Sequence, residues 1–244
     1  MSDSAETLRA AASADSGPLR GLWLTVLTAD VVEAVLTAGA VVTEGIGWIG
    51  VDLQHGALEV SDLPGLLRVC RVPVLARTAS GDPAHLARVL DTGVAGVIVP
   101  GVGSGSEAAA LVAACRVPPE GRRSTGASRS ALVGGPARPL LLPMVETREG
   151  LAAVEEIAGC AGIDGVFVGP YDLSLSLGRP TVADPEVAAA ISAVAAAARR
   201  HGILAGAFSG SRSLEPLLPP LDVVAVDTDV SALRLGLAEL FDAP

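Results

Sequence analysis

LLLPMVETREGLAAVEEIAGCAGIDGVFVGPYD, residues 140–172, reads as one complete strand–helix–strand unit. Its two apolar runs, LLLPMVE and GVFVGPYD, each close on a carboxylate, Glu146 and Asp172. A strand buried on both faces tolerates an ionised carboxylate only where it emerges, so both acids belong to strand ends. The amphipathic stretch TREGLAAVEEIAG between the runs predicts a crossover helix and a parallel strand pair. The same alternation extends along the chain. Strands are predicted near 21–26, 46–53, 73–77, 96–100, 140–145, 165–169, 204–208 and 223–227. Between them ADVVEAVLTAG, VSDLPGLLRVC, DPAHLARVLDTG, SEAAALVAACR and DPEVAAAISAVAAAARRHG repeat with helical spacing. Eight near-continuous apolar strands separated by helices predict a closed (β/α)8 TIM barrel, whose chemistry sits at the C-terminal ends of the strands.

That rule gives weight to two further residues. His55 ends VDLQH and Arg77 ends VPVLAR, each at or just past the end of a predicted strand. With Glu146 and Asp172 they make a polar centre drawn from four strand ends. Two neighbouring carboxylates repel unless a cation lies between them, and oxygen ligands at a rim suit a hard divalent ion. Each residue also has a structural reading. Asp172 can cap a helix, Glu146 can sit in a helix's first turn, and a histidine beside a turn can be purely structural. A guanidinium at a buried strand end demands an anion, and Arg77 has a substrate or Asp91 as candidate partners. Asp52 is expected to hold a neighbouring loop. His85 at a helix start and His201 at a helix end read as structural.

Composition removes whole classes of chemistry. All 17 basic residues are Arg, so no lysine Schiff base can form and no phosphate loop ending in Gly-Lys-Ser/Thr is available. The net charge of −10 argues against nucleic acid or an anionic membrane as partner. Mean hydropathy is +0.52, yet no apolar run approaches the ~20 residues that span a bilayer. Residues 1–18 lack a secretory leader's basic start and apolar centre and read as a flexible tail or short helix ahead of a barrel domain over 19–244. Cys70, Cys115 and Cys160 show no pairing pattern and read as buried small residues in a reducing cytoplasm. PGVGSGSEAAAL is better explained by Ser104 and Glu107 as a capping box than by a phosphate site. The segment 117–139 has no clear periodicity and reads as an active-site loop whose Arg122 and Arg123 reach an anionic substrate.

DLQHG, VPVLAR, ARVLDTGVAGVIVPGV, CRVPPEGRR, VETREGLAAVEEI and DGVFVGPYDLSLSLG, in this order over about residues 20–240, resemble the HpcH/HpaI aldolase family. The resemblance implies a (β/α)8 barrel acting as a metal-dependent class II pyruvate aldolase, a carbon–carbon lyase, with Mg²⁺, Mn²⁺ or Co²⁺ as cofactor. It implies a homo-oligomer, hexamer or trimer, with an exchanged terminal helix. Carried over residue by residue, it implies Glu146 and Asp172 as metal ligands, His55 as base, Arg77 as oxyanion stabiliser and Asp91 as the partner of His55. The substrates implied are a 2-oxo acid and an aldehyde. Cleavage of a C3–C4 bond then leaves an enolate, with Arg77 opposing its charge and His55 taking the C4 hydroxyl proton.

Three positions depart from the family pattern: Gln54 replaces a glutamate, Met144 a glutamine and Tyr171 a small residue. The segment between Arg129 and Leu140 is also short. These departures predict an altered substrate pocket, lined by Met144 and narrowed by the Tyr171 ring. They motivate an alternative in which the same enolate chemistry acts on another bond, as in oxaloacetate-type decarboxylation or a specialised carbon–carbon ligation. A non-catalytic barrel is the remaining alternative.

Overall fold

Every predicted strand is apolar on both faces, and only a sheet closed on itself and wrapped by helices buries all of them. The computed structural model describes residues 3–13, 17–37, 45–210 and 215–241 and has this form. Strands β1 (Leu19–Leu24), β2 (Trp48–Asp52), β3 (Val74–Arg77), β4 (Gly96–Val99), β5 (Leu140–Val145), β6 (Gly165–Val168), β7 (Leu204–Phe208) and β8 (Val223–Thr228) form a closed parallel barrel in chain order. All eight predicted strands are present, with ends shifted by at most two residues.

The surrounding helices include α2 (Ala29–Thr37), α3 (Leu63–Val69), α4 (Pro83–Asp91), α5 (Gly105–Cys115), the pair α7 (Arg148–Ala152) and α8 (Val154–Ala158), and α10 (Pro185–His201). Their starts are written in the sequence. Asp82, Ser104, Thr147 and Asp184 each accept a first-turn N–H through the side chain, and Pro83 and Pro185 fill first-turn positions that need no donor. Ser104 accepts from Glu107 N while Glu107 accepts from Gly103 N, close to the capping box expected. His85 and His201 are structural neighbours of helix ends: the first accepts from Ala79 N, the second meets Glu155 at 3.1 Å. Residues 38 and 39 of the predicted ADVVEAVLTAG helix lie outside the described residues.

The barrel interior is aromatic. Trp23 stacks on Phe167, and Trp48 meets both edge-on. Glycine makes room for them: a Cβ on Gly21 would fall 2.3 Å from the Trp48 ring, and one on Gly50 equally close to Trp23.

Two expectations are decided at the opposite, N-terminal rim. In the segment read as a flexible tail or short helix, residues 4–12 form helix α1 (Ser4–Ala12), which buries Ala5, Leu8 and Ala12 in the same cluster as Leu140 and Phe167. Arg9 reaches Asp164 at 2.9 Å, and Asp3 accepts from Ala137 N at 3.1 Å, so α1 closes the barrel floor. Residues 1, 2 and 14–16 of that segment are outside the described ones. The 117–139 segment carries helix α6 (Arg129–Val133), and Arg123, expected to reach a substrate, instead pairs with Asp91 at this floor at 2.7 Å. The backbone N–H of Arg122 donates to Ala113 O, and the residue is exposed. Arg116 binds Asp164 and Pro139 O.

Of the cysteines, only Cys115 is fully buried, while Cys70 and Cys160 are half-buried; all three are free. Burial pushes the Cys70 and Cys115 thiols up to about 11. Among the described residues no helix is long and apolar enough to cross a membrane.

Candidate active site

The two carboxylates follow adjacent strands, Glu146 directly after β5 and Asp172 four residues after β6. Val145 pairs with Val168, so Glu146 and Gly169 emerge side by side. The fit is close, because a Cβ on Gly169 would lie 2.8 Å from Glu146 Oε2 and 2.7 Å from Met144 Cε. Gly169 leads into α9 (Pro170–Ser176), which sets Asp172 in its first turn. Glu146 is 8% exposed and accepts one hydrogen bond, from Gly101 N at 2.7 Å. Burial raises its pKa above the usual carboxylate range and the Asp172 charge adds to this; the Gly101 N–H, Arg77 and His55 pull it down. Glu146 therefore feels Asp172, Arg77 and His55 together. Asp172 is exposed, and among the described residues no group donates to its carboxylate.

Arg77 ends β3 directly opposite Asp52, the last residue of β2. Their side chains meet as a fork: Nε to Oδ1 at 3.0 Å and Nη2 to Oδ2 at 2.5 Å. The guanidinium carbon lies 5.4 Å from the Trp23 ring centroid. Asp52 also accepts from Gln54 N and His55 N, so one carboxylate fixes both the arginine and the turn that carries His55. Burial opposes its ionisation, but the Arg77 hydrogen bond and charge and the two N–H groups outweigh that and hold its pKa below the usual range. His55 itself is exposed.

The expected role of Asp91 is corrected here. Asp91 ends α4, five residues before β4 begins, so it lies at the barrel floor, paired with Arg123. It can neither orient His55 nor answer Arg77, whose partner is Asp52.

Of these groups Asp52, Arg77, Met144, Gly169 and Asp172 line a cleft of about 280 Å³. Trp23, Met144 and Phe208 give it an apolar wall, Tyr171 stands at its mouth, and Thr25 and Thr228 line it from the β1 and β8 ends. Tyr171 is 66% exposed. Sequence reading missed Trp23, Thr25, Phe208 and Thr228. The signal was available, since all four lie at or next to the C-terminal ends of β1, β7 and β8, the rule that found the others.

A cation fits this site on chemistry alone. A buried carboxylate, Glu146, accepts a single N–H and feels the charge of a second, exposed carboxylate, Asp172, and hard divalent ions relieve such a pair. Among the described residues no three His, Cys, Asp or Glu side chains converge. A cation on Glu146 and Asp172 would thus keep positions for water and substrate, as Mg²⁺ commonly does.

Comparison with known proteins gives the family of the chain and agrees with its fold. The profile of the HpcH/HpaI aldolase/citrate lyase family matches residues 21–216. A hydroxypyruvate/pyruvate aldolase from Pseudomonas aeruginosa is 37% identical over 237 residues, covering 90% of this chain and 86% of its own. A 4-hydroxy-2-oxovalerate aldolase from Rhodococcus jostii (strain RHA1) is 36% identical over 203 residues, 75% of this chain and 76% of its own. The crystal structure of an HpcH/HpaI aldolase/citrate lyase family protein from Burkholderia cenocepacia J2315 superposes with a TM-score of 0.80 at 28% identity, covering 97% of this chain and 98% of that one. The match spans the strands that carry Arg77, Glu146 and Asp172, and the chain belongs to the HpcH/HpaI aldolase/citrate lyase family.

Proposed function

We propose that this protein is a class II aldolase, a carbon–carbon lyase that cleaves or forms a 4-hydroxy-2-oxo acid through the enolate of pyruvate or a close analogue. One observation carries the reading: a lysine-free chain sets two carboxylates side by side and brings a fork-held guanidinium into the same field. Without an amine to form a Schiff base, carbonyl activation must be electrostatic. A divalent cation held by Glu146 and Asp172, Mg²⁺, Mn²⁺ or Co²⁺, supplies Lewis-acid polarisation of the 2-oxo acid carbonyl.

The chain's own residues do the rest. Asp52 uses Nε and Nη2 of Arg77, so the other N–H groups of the fork are left to meet the oxyanion that develops as C3–C4 breaks. His55 takes the proton of the C4 hydroxyl, and its exposure lets that proton pass to water. Met144 packs against the carbon that becomes nucleophilic, and Trp23 and Phe208 keep water from protonating it early. Tyr171 at the mouth meets the aldehyde half. The activities named for the two aldolase relatives support a pyruvate-type donor.

The exposed apolar side of α11 (Asp229–Phe241), with Leu233, Leu237, Leu240 and Phe241, supports a homo-oligomer, trimer or hexamer. Three unpaired cysteines support a reducing cytoplasm.

The test is exchange of pyruvate methyl protons in D₂O, followed by NMR, with each of the three ions against a chelated control. Exchange that needs the ion and is lost in His55→Ala is expected. Folded protein that exchanges nothing with any of the three ions would sink the aldolase reading.

A further inference from the structure

Asp229 is the first residue of α11 and is 1% exposed, yet among the described residues no cation lies against it. Backbone groups meet its charge instead. Oδ2 accepts three consecutive N–H groups, from Thr25 at 3.0 Å and from Val26 and Leu27 at 2.9 Å. Oδ1 accepts the Thr25 hydroxyl at 2.5 Å and Val230 N at 2.9 Å. Burial works against ionisation, but the Thr25 hydroxyl and the N–H groups prevail and hold the carboxyl below its usual range. Five donors on one carboxylate fix the turn that leaves β1.

That turn holds another. Thr25 O accepts from Ala57 N at 2.7 Å, two residues past His55. The packing leaves no slack: a Cβ on Gly56 would lie 2.8 Å from Thr25 O and 2.5 Å from Asp52 O. A continuous chain of bonds therefore runs from the root of α11, through Thr25, to the segment bearing His55.

We propose that Asp229 is a positioning residue: by pinning residues 25–27 it sets where His55 stands over the carboxylate pair, and it ties the seating of α11 to the geometry of the site. The catalytic part of this statement rests on the aldolase reading; the positional part does not.

Asp229→Asn tests it. The amide keeps the shape and one acceptor but loses the charge and turns donors toward Val230 N–H. In the pyruvate exchange assay we expect kcat to fall at least tenfold while KM for pyruvate stays within threefold, because Glu146, Asp172 and Arg77 are untouched. The chain has 3 histidines, so the imidazole cross-peaks of His55 can be assigned by its Ala variant. In Asp229→Asn the His55 peaks are expected to move while those of His85 and His201 stay. Should Asp229→Asn fail to fold, Gly56→Ala strains the same junction one step along and is expected to move His55 in the same way. His55 peaks unmoved in a folded variant overturn the proposal whatever the activity does. Moved His55 peaks in a protein that exchanges no pyruvate protons overturn the aldolase reading and leave the positional coupling standing.

Discussion

Glu146 is buried where the fold opposes its ionisation. Its raised pKa means that the folded state favours the protonated form, so its contribution to stability is present at low pH and is lost as pH rises through the folded value. Asp52 has the opposite sign: its depressed pKa gives stability that is present above the unfolded value and lost as pH falls through the folded one. Glu146→Gln, measured in chelator, should therefore melt about 2–4 °C above the wild type near pH 8, with the gap closing toward pH 4. A gap that does not change with pH would mean that ionising Glu146 costs the fold nothing. On the proposed reading Mn²⁺ should raise the melting temperature of the wild type, and the same variant should lose that gain. Arg77→Lys replaces a two-point fork by a single ammonium, so pyruvate exchange should fall roughly 100-fold or more, the scale of losing one oxyanion donor. At this scale the sequence showed which residues end strands but not how the strands align. Arg77 and Asp52 are register partners across β2 and β3, and only the register separates Asp52 from Asp91 as the arginine's anion.

The strands were legible because parallel strands buried on both faces read as continuous apolar runs. Two short helices were less so: α1 reads as either tail or helix, and α6 as loop. α1 buries only Ala5, Leu8 and Ala12, a face of small residues that looks like a polar tail until the barrel floor that covers it is known. The PPEGRR segment was misplaced for a related reason: arginine at a loop suggests an anionic ligand, while the actual partner of Arg123, Asp91, comes from a distant part of the chain. A flexible tail and a docked helix predict different outcomes. Leu8→Ala should cost about 2–5 kcal/mol, as cavity formation at a buried leucine does, and deletion of residues 1–13 should cost more. A truncated protein with an unchanged melting temperature would return this segment to the status of a tail.

Across the whole molecule, apolar surface is concentrated on α11. Leu235, Leu240 and Phe241 are 70%, 77% and 80% exposed, and Asp229 is the helix's one fully buried residue. A helix so placed stabilises little by itself and needs a cover. Light scattering coupled to gel filtration should find an oligomer, and Leu237→Glu with Leu240→Glu should shift it toward monomer; an unshifted mass would exclude α11 from the interface. The aromatic residues are few, 6 in all, and the 2 tryptophans have unlike surroundings. Trp48 is sealed in the barrel with its indole N–H on Leu19 O, while Trp23 faces the cleft beneath the Arg77 guanidinium. In effect the protein carries its own optical reporter. With Trp48→Phe, the remaining fluorescence comes from one indole at the cleft wall, and its quenching by an arriving oxo acid would read occupancy directly, without turnover and without a label.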